Sequence, residues 1–241
     1  MGVMMQAIYI TLPATLNGQA IERLSRELDD AGERPLVLGG TDNAFCRGLD
    51  LTGLLDSDAQ ALRVQAAHFI SCLEKIRQHP APTLAVVKAD ALGGGLALAA
   101  VCDVVLADNT ARFGLPELLY GFVPGFILPF LLTRMTAQAV RRLCIAGEAC
   151  GVSLALQLGL VDQQVDEDMD SAVAGWIRNM LRIDRRALKH LRQLLKSRDK
   201  HHAAWEQACL ETSLDLLSNE SNQKALRDFI EEGIPPWGQR R

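Results

Sequence analysis

Two short stretches hold residue types whose spacing suits acyl chemistry. The first is KADALGGGLALAAVCD, Lys88 to Asp103, where Gly93, Gly94 and Gly95 part the apolar run TLAVV from an alanine-rich one. A glycine at a strand-to-helix junction lets a backbone N–H face open space, and the first turn of a helix leaves that N–H without an intrahelical partner. The helix dipole adds positive potential there, so the junction suits a negative oxygen. The same triplet also suits tight strand–helix packing with no ligand. The second stretch is NAFCRGLD, residues 43–50, a loop after an apolar run with Gly48 just before a short helical segment. Here the N–H of Leu49 is a second donor. Two converging N–H groups form an oxyanion hole for a carbonyl oxygen that gains charge, each donor worth roughly 3–4 kcal/mol of barrier.

Such donors need elements to hold them. Residues 7–12 and 35–40 read as short buried strands, and Ala20, Ile21, Leu24 and Leu28 recur at helical spacing between them. Residues 41–57 form a polar, glycine-bearing loop entering a short helix, and 58–78 a helix with Phe69, Leu73 and Ile76 on its apolar face. PAPTLAVVKA becomes a strand, followed by a helix over 94–102, a strand over 104–107 and an extended piece at 112–114. This alternation is that of an α/β domain with right-handed crossovers. After Arg134 the chain turns mostly helical. SLALQLGLVDQQV gives a helix stopped by Gly159 and then a last strand, and from about residue 170 only helices are expected. Leu188, Leu191, Leu194 and Leu195 make one apolar stripe, and the final helix stops at Gly233, before Pro235 and Pro236.

The 241 residues suit one large domain, or one domain with a small appendage. A hydrophobic content of 49%, with 22% charged residues, is that of an ordinary globular protein. The net charge of −4 gives no drive toward nucleic acid or an anionic membrane. No apolar run reaches the roughly 18–20 residues of a membrane span. The N-terminus reads poorly as a signal peptide, and Gln6 stands where a myristoylation signal needs Ser or Thr. Six scattered cysteines without a CxxC pair read as idle thiols in a reducing cytoplasm. His201 and His202 have no metal-ligand company, so no metal is expected.

With these pieces together the sequence resembles the crotonase superfamily of enoyl-CoA hydratases and isomerases. The resemblance rests on FCRGLD, PTLAVVKADALGGGLALAAVCD, ARFGLPELLYGFVPG and ALQLGLVD, in the family's order. It implies a spiral of ββα units over 1–169, carrying the acyl-thioester site, and a helical region over 170–241 that packs into homotrimers or hexamers. The implied ligand is an acyl group on coenzyme A or on the phosphopantetheine of an acyl carrier protein, with no cofactor besides. By position the two oxyanion N–H groups fall on Leu49 and Gly94. Family hydratases keep two glutamates; here Ala97 replaces the first, and only Glu117 of the Pro116-Glu117 motif remains. Lys88-Ala89 replaces the usual Asn-Gly. The apolar FILPFLLTRM, with PELLYGFVPG before it, resembles the dehydratases of polyketide β-branching, which act on 3-hydroxy-3-methylglutaryl groups of a carrier protein.

One carboxylate can still take a proton from the carbon beside a thioester while the oxyanion donors hold the developing charge. Leu115, Leu118 and Leu119 suggest an apolar setting that raises the pKa of Glu117. Without a second carboxylate, hydration of straight-chain enoyl thioesters should be poor, whereas a tertiary β-hydroxyl leaves readily. The expected activity is therefore dehydration of a branched β-hydroxy acyl thioester. The rivals are Δ3-Δ2 enoyl isomerisation and an idle crotonase-fold binding subunit. Around this site Gly93, Gly125, Tyr120, Arg47 and Asp50 are expected to contact substrate. Tyr120 equally suits packing, Asp50 suits a cap for the helix from Leu51, and Arg47 suits a phosphate or distal carboxylate. Lys88 is expected at the surface beside Asp90, and Asp103 as a structural anchor. The basic run from Arg182 to Lys200 suits solvent or an acidic carrier protein.

Overall fold

The computed structural model describes residues 6–50, 52–53, 58–196 and 202–235. In chain order the elements are β1 (Ile8–Thr11), α1 (Gly18–Asp30), β2 (Leu36–Gly39), α2 (Ala59–Arg77), β3 (Thr83–Val87), β4 (Asp90–Leu92) and α3 (Gly94–Ala100). There follow β5 (Val104–Ala107), β6 (Arg112–Gly114), a 3-10 helix (Pro116–Tyr120), α4 (Leu128–Leu131), α5 (Ala137–Ala146), β7 (Cys150–Gly151), α6 (Val152–Gln157) and β8 (Gln163–Gln164). The chain closes with α7 (Met169–Met180), α8 (Arg185–Lys196), α9 (His202–Ser218) and α10 (Glu220–Glu232). The helix start at Leu51, His201, the basic run beyond Lys196 and Pro236 lie outside the described residues.

A five-stranded parallel sheet runs β1-β2-β3-β5-β8. Its inner strands β2, β3 and β5 are short and largely apolar on both faces because both faces are covered. On β3, Ala85 and Val87 face the large core with α1, α2 and α3, while Leu84 faces a second cluster with Val173, Ile177 and Met180 of α7. Alternate residues of a strand point to opposite sides, so one strand serves both layers. Asn17 caps α1 by accepting from Ala20 N–H at 2.9 Å, and Asp58 caps α2 by accepting from Ala61 N–H at 2.7 Å.

A second sheet of order β4-β6-β7 was not legible in sequence. β4 is only three residues long, and it is split from β3 by a turn in which Ala89 takes φ +89°. That left-handed backbone is where glycine is expected, and alanine holds it under strain. The turn starts a new sheet where the pattern reads as one strand running into a helix.

The C-terminal helices join the main core through Leu214, Leu217 and Leu226. Arg63 of α2 forms a bidentate pair with Glu211 of α9, at 2.6 and 2.8 Å. At the N-terminal ends of β3 and β5, Asp103 accepts from Thr83 N–H at 2.8 Å and from Arg192 of α8 at 2.6 Å. Arg192 also donates to the carbonyl of His79. α8 is thereby fastened to the sheet, while Leu191, Leu194 and Leu195 on its flank stay exposed.

Candidate active site

The two turns singled out by their glycines meet, main chain against main chain. A Cβ placed on Gly48, whose φ is +84°, would stand 3.0 Å from both Gly94 N and Leu92 O. One on Gly95 would stand 1.8 Å from Cys46 O, so no side chain fits there. Cys46 N–H donates to Asp90 O at 3.0 Å and Leu92 N–H to Cys46 O at 2.9 Å, which stitches the loop to β4. On the other side Leu16 N–H donates to Gly48 O at 2.8 Å and Asp50 N–H to Leu16 O at 3.0 Å.

These bonds decide which amides remain. Arg47 N–H donates to Ala14 O at 2.7 Å and Gly93 N–H to Gly114 O at 3.0 Å. Among the described residues, the N–H groups of Leu49 and Gly94 donate to no backbone carbonyl. They lie on facing turns, with Gly94 opening α3, where the helix leaves its first amides free.

Glu117 rides the 3-10 helix, which Pro116 opens and the left-handed Gly121 (φ +86°) closes. Its Oε1 would lie 2.9 Å from a Cβ on Gly93, so the carboxyl sits directly over the first of the three glycines. Its Oε2 is shut off from solvent and has no hydrogen-bond partner among the described residues. Burial pushes this carboxyl up to about 7, against a small opposing pull from its own backbone N–H. Such an acid can give and take a proton near neutrality. Burial, with the neighbouring Glu117 charge, pushes the Cys144 thiol of α5 up to about 11, so Cys144 is no thiolate.

The walls are apolar. Ala97 lies fully buried one turn along α3, its N–H on Gly93 O at 3.1 Å. A Cβ on Gly94 would meet the Phe69 ring at 3.2 Å and Leu16 at 3.4 Å. Phe69 in turn meets Phe126 edge-on, with centroids 6.5 Å apart. Beside Asp50 a cleft of about 620 Å³ opens between α1 and α2, within the size range of small-molecule sites. Glu22, Asp50 and Asp58 line it, a set unsuited to phosphate.

The other expected site residues lie further out. Asp50 accepts from Thr52 N–H at 3.1 Å, as a cap does. Arg47 is held by Asp90 at 3.0 Å and by Asn43 O at 2.7 Å. Asp90 thus pairs with Arg47 rather than with Lys88, which is exposed. Tyr120 meets the Phe229 ring of α10 at 5.3 Å, and burial raises its hydroxyl. Gly125 faces α9: a Cβ there would stand 2.2 Å from Cys209 O and 2.3 Å from Ser213 Oγ, so this glycine permits helix contact. The described part of the basic run, on α8, is fastened at the N-terminal ends of the strands, whereas the free amides follow their C-terminal ends. Across β3 that separation is about 16 Å. Sequence reasoning missed Phe69 at Gly94, since helical spacing marks it only as core. It also missed Asn222 and Phe229, which reach the Glu117 turn from about a hundred residues away.

The family model for Enoyl-CoA hydratase/isomerase matches residues 11–240. The chain belongs to this family. It is 25% identical over 228 residues to the bacillaene synthase dehydratase PksH of Bacillus subtilis, covering 92% of this chain and 88% of that protein. It is 29% identical over 213 residues to the mevalonyl-coenzyme A hydratase sidH of Aspergillus fumigatus, covering 83% and 76%. The crystal structure of PksH superposes with a TM-score of 0.83, at 25% identity and 93% coverage of each chain. The fold is therefore the crotonase fold, and the chain is an enzyme of the hydratase/dehydratase type with kinship to polyketide dehydratases. Among the described residues no helix is long and apolar enough to cross a membrane, and no cluster of His, Cys, Asp and Glu could hold a metal ion.

Proposed function

We propose that this enzyme dehydrates a branched β-hydroxy acyl thioester, with Leu49 and Gly94 as oxyanion donors and Glu117 as the only base. The observation that carries the reading is Glu117 itself, a buried carboxyl over Gly93 whose Oε2 has no partner among the described residues, with alanine at position 97. The two amides polarise the thioester carbonyl. Ionised Glu117 takes the α-proton, and the electron pair of that C–H bond passes to the enolate, whose oxygen the amides hold. The pair then returns to form the Cα–Cβ double bond as the β C–O bond breaks. Glu117 hands its proton to the departing hydroxyl, which leaves as water. A tertiary hydroxyl favours this path because the alkene formed is more substituted. A 3-hydroxy-3-methylglutaryl group on an acyl carrier protein has that form, and the kinship to PksH supports it.

The test offers the protein 3-hydroxy-3-methylglutaryl carrier protein, followed by mass, and a 3-enoyl-CoA, followed by absorbance. Loss of water from the first is expected. An isobaric shift in the second alone would favour isomerisation, and silence on both a binding subunit. Glu117→Gln is expected to lower turnover by about 10²–10⁴-fold with substrate binding retained; retained turnover would remove Glu117 from its role. Because the base works ionised, kcat/KM should rise with pH through about 7.

A further inference from the structure

Glu117 sits on a short 3-10 helix, Pro116–Tyr120, that Gly121 closes. Within it, Gly121 N–H donates to Leu118 O at 3.2 Å and Phe122 N–H to Glu117 O at 3.0 Å. Further support comes from the far end of the chain. Asn222, in the first turn of α10, donates from Nδ2 to Gly121 O at 3.0 Å and to Leu216 O at 3.1 Å. One amide thus joins the left-handed cap of the Glu117 turn to the corner between α9 and α10. Next to it the Phe229 ring rests edge-on against Tyr120. Ser213 Oγ donates to Val123 O at 3.1 Å, and Gly125 admits Cys209 and Ser213 where a side chain would stand. The segment 116–125 is therefore laid against α9 and α10 at four points.

We propose that Asn222 is a positioning residue for Glu117: by pinning Gly121 to the α9–α10 corner, it holds the carboxyl over Gly93 and keeps water from its second oxygen. This rests on the reading of Glu117 as the base. Asn222 is not needed to start α10, because Asn219 is the cap and accepts from Asn222 N–H whatever the side chain. The side-chain amide is thus free to serve the turn. A shift of the carboxyl by about 1 Å can cost about 10²-fold in rate, and admitted water returns a buried acid toward its ordinary range.

The experiment uses the full chain with Asn222→Ala, Phe229→Leu and, as a control on the exposed side of α10, Arg227→Ala. The Glu117 carboxyl is titrated by ¹³C NMR, its signal assigned by its loss in Glu117→Gln. Steady-state kinetics on the thioester run in parallel. Asn222→Ala is expected to lower the Glu117 midpoint by about one pH unit and kcat by about tenfold, with KM within about twofold. Phe229→Leu should move the midpoint the same way, and it carries the measurement if Asn222→Ala fails to fold. A midpoint in both variants equal to that of Arg227→Ala overturns the assignment. Should the wild type turn over no thioester, the proposed reaction falls, but the titration still decides the positioning role.

Discussion

A carboxylic acid with one oxygen shut off from solvent and unpaired is costly to ionise, and Glu117 carries that cost. Its carboxyl is raised to about 7 by burial, whereas an unfolded glutamate titrates near 4.5. Below about 4.5 both states hold the proton and the group is neutral to stability. Between about 4.5 and 7 only the unfolded state ionises, so stability falls as pH rises, by up to about 3 kcal/mol. Glu117→Gln should therefore unfold at a higher temperature than wild type at pH 8, with the difference fading by pH 4. Thermal melts at the two pH values check this. The apolar setting of Glu117 and its raised pKa were legible in sequence, but not all of the side chains that bury it. Leu118, taken as part of an apolar setting, is 37% exposed. The desolvation comes from elements distant in sequence that pack on the turn. Ala97 gives the converse prediction. Ala97→Glu would place a second carboxylate one turn from Gly93, and hydration of a straight-chain enoyl thioester should appear where wild type shows little. Loss of enoyl absorbance measures it; no gain would mean that the second acid cannot reach the water.

Among the elements, the glycine triplet divides its work in a way that a run of three letters does not reveal. Gly93 takes a positive φ and spends its N–H on Gly114; Gly94 keeps its N–H free; Gly95 admits the Cys46 carbonyl. That a strand and then a helix flank the triplet was readable from apolar spacing. That β4 breaks away into a second sheet was not, because the break lies in one alanine at φ +89°. A left-handed residue other than glycine costs about 1–2 kcal/mol, and glycine returns about 0.5–1 kcal/mol of that in chain entropy. Ala89→Gly should thus stabilise the protein by about 0.5–1 kcal/mol, a rise of about 2–3 °C in Tm by calorimetry. No change in Tm would show that the turn bears no strain.

On the scale of the whole molecule, the reacting end and the fastened end of the sheet are opposite. Arg192 locks α8 where β3 and β5 begin, and the leucine flank of that helix faces outward, with Leu194 70% exposed. The stripe was visible in sequence as helical spacing. Its outward aim was not, since periodicity tells that a face exists and not what lies against it. The homotrimer or hexamer that the family resemblance implies would bury such leucines. Leu191→Asp with Leu194→Asp should then lower the sedimenting mass, while a wild type that sediments as a monomer would end the expectation. Gly95 and Cys46 meet without a side chain between them, and this limits how such an enzyme diverges. Replacement of residues elsewhere leaves this contact, and the free Leu49 and Gly94 amides beside it, unchanged. Loop length has no such freedom: one residue inserted between Gly40 and Leu49 would displace the Leu49 amide by up to about 3.4 Å, beyond the tolerance of a hydrogen bond. Descendants of this chain can diverge by substitution, provided the count of residues in that loop holds.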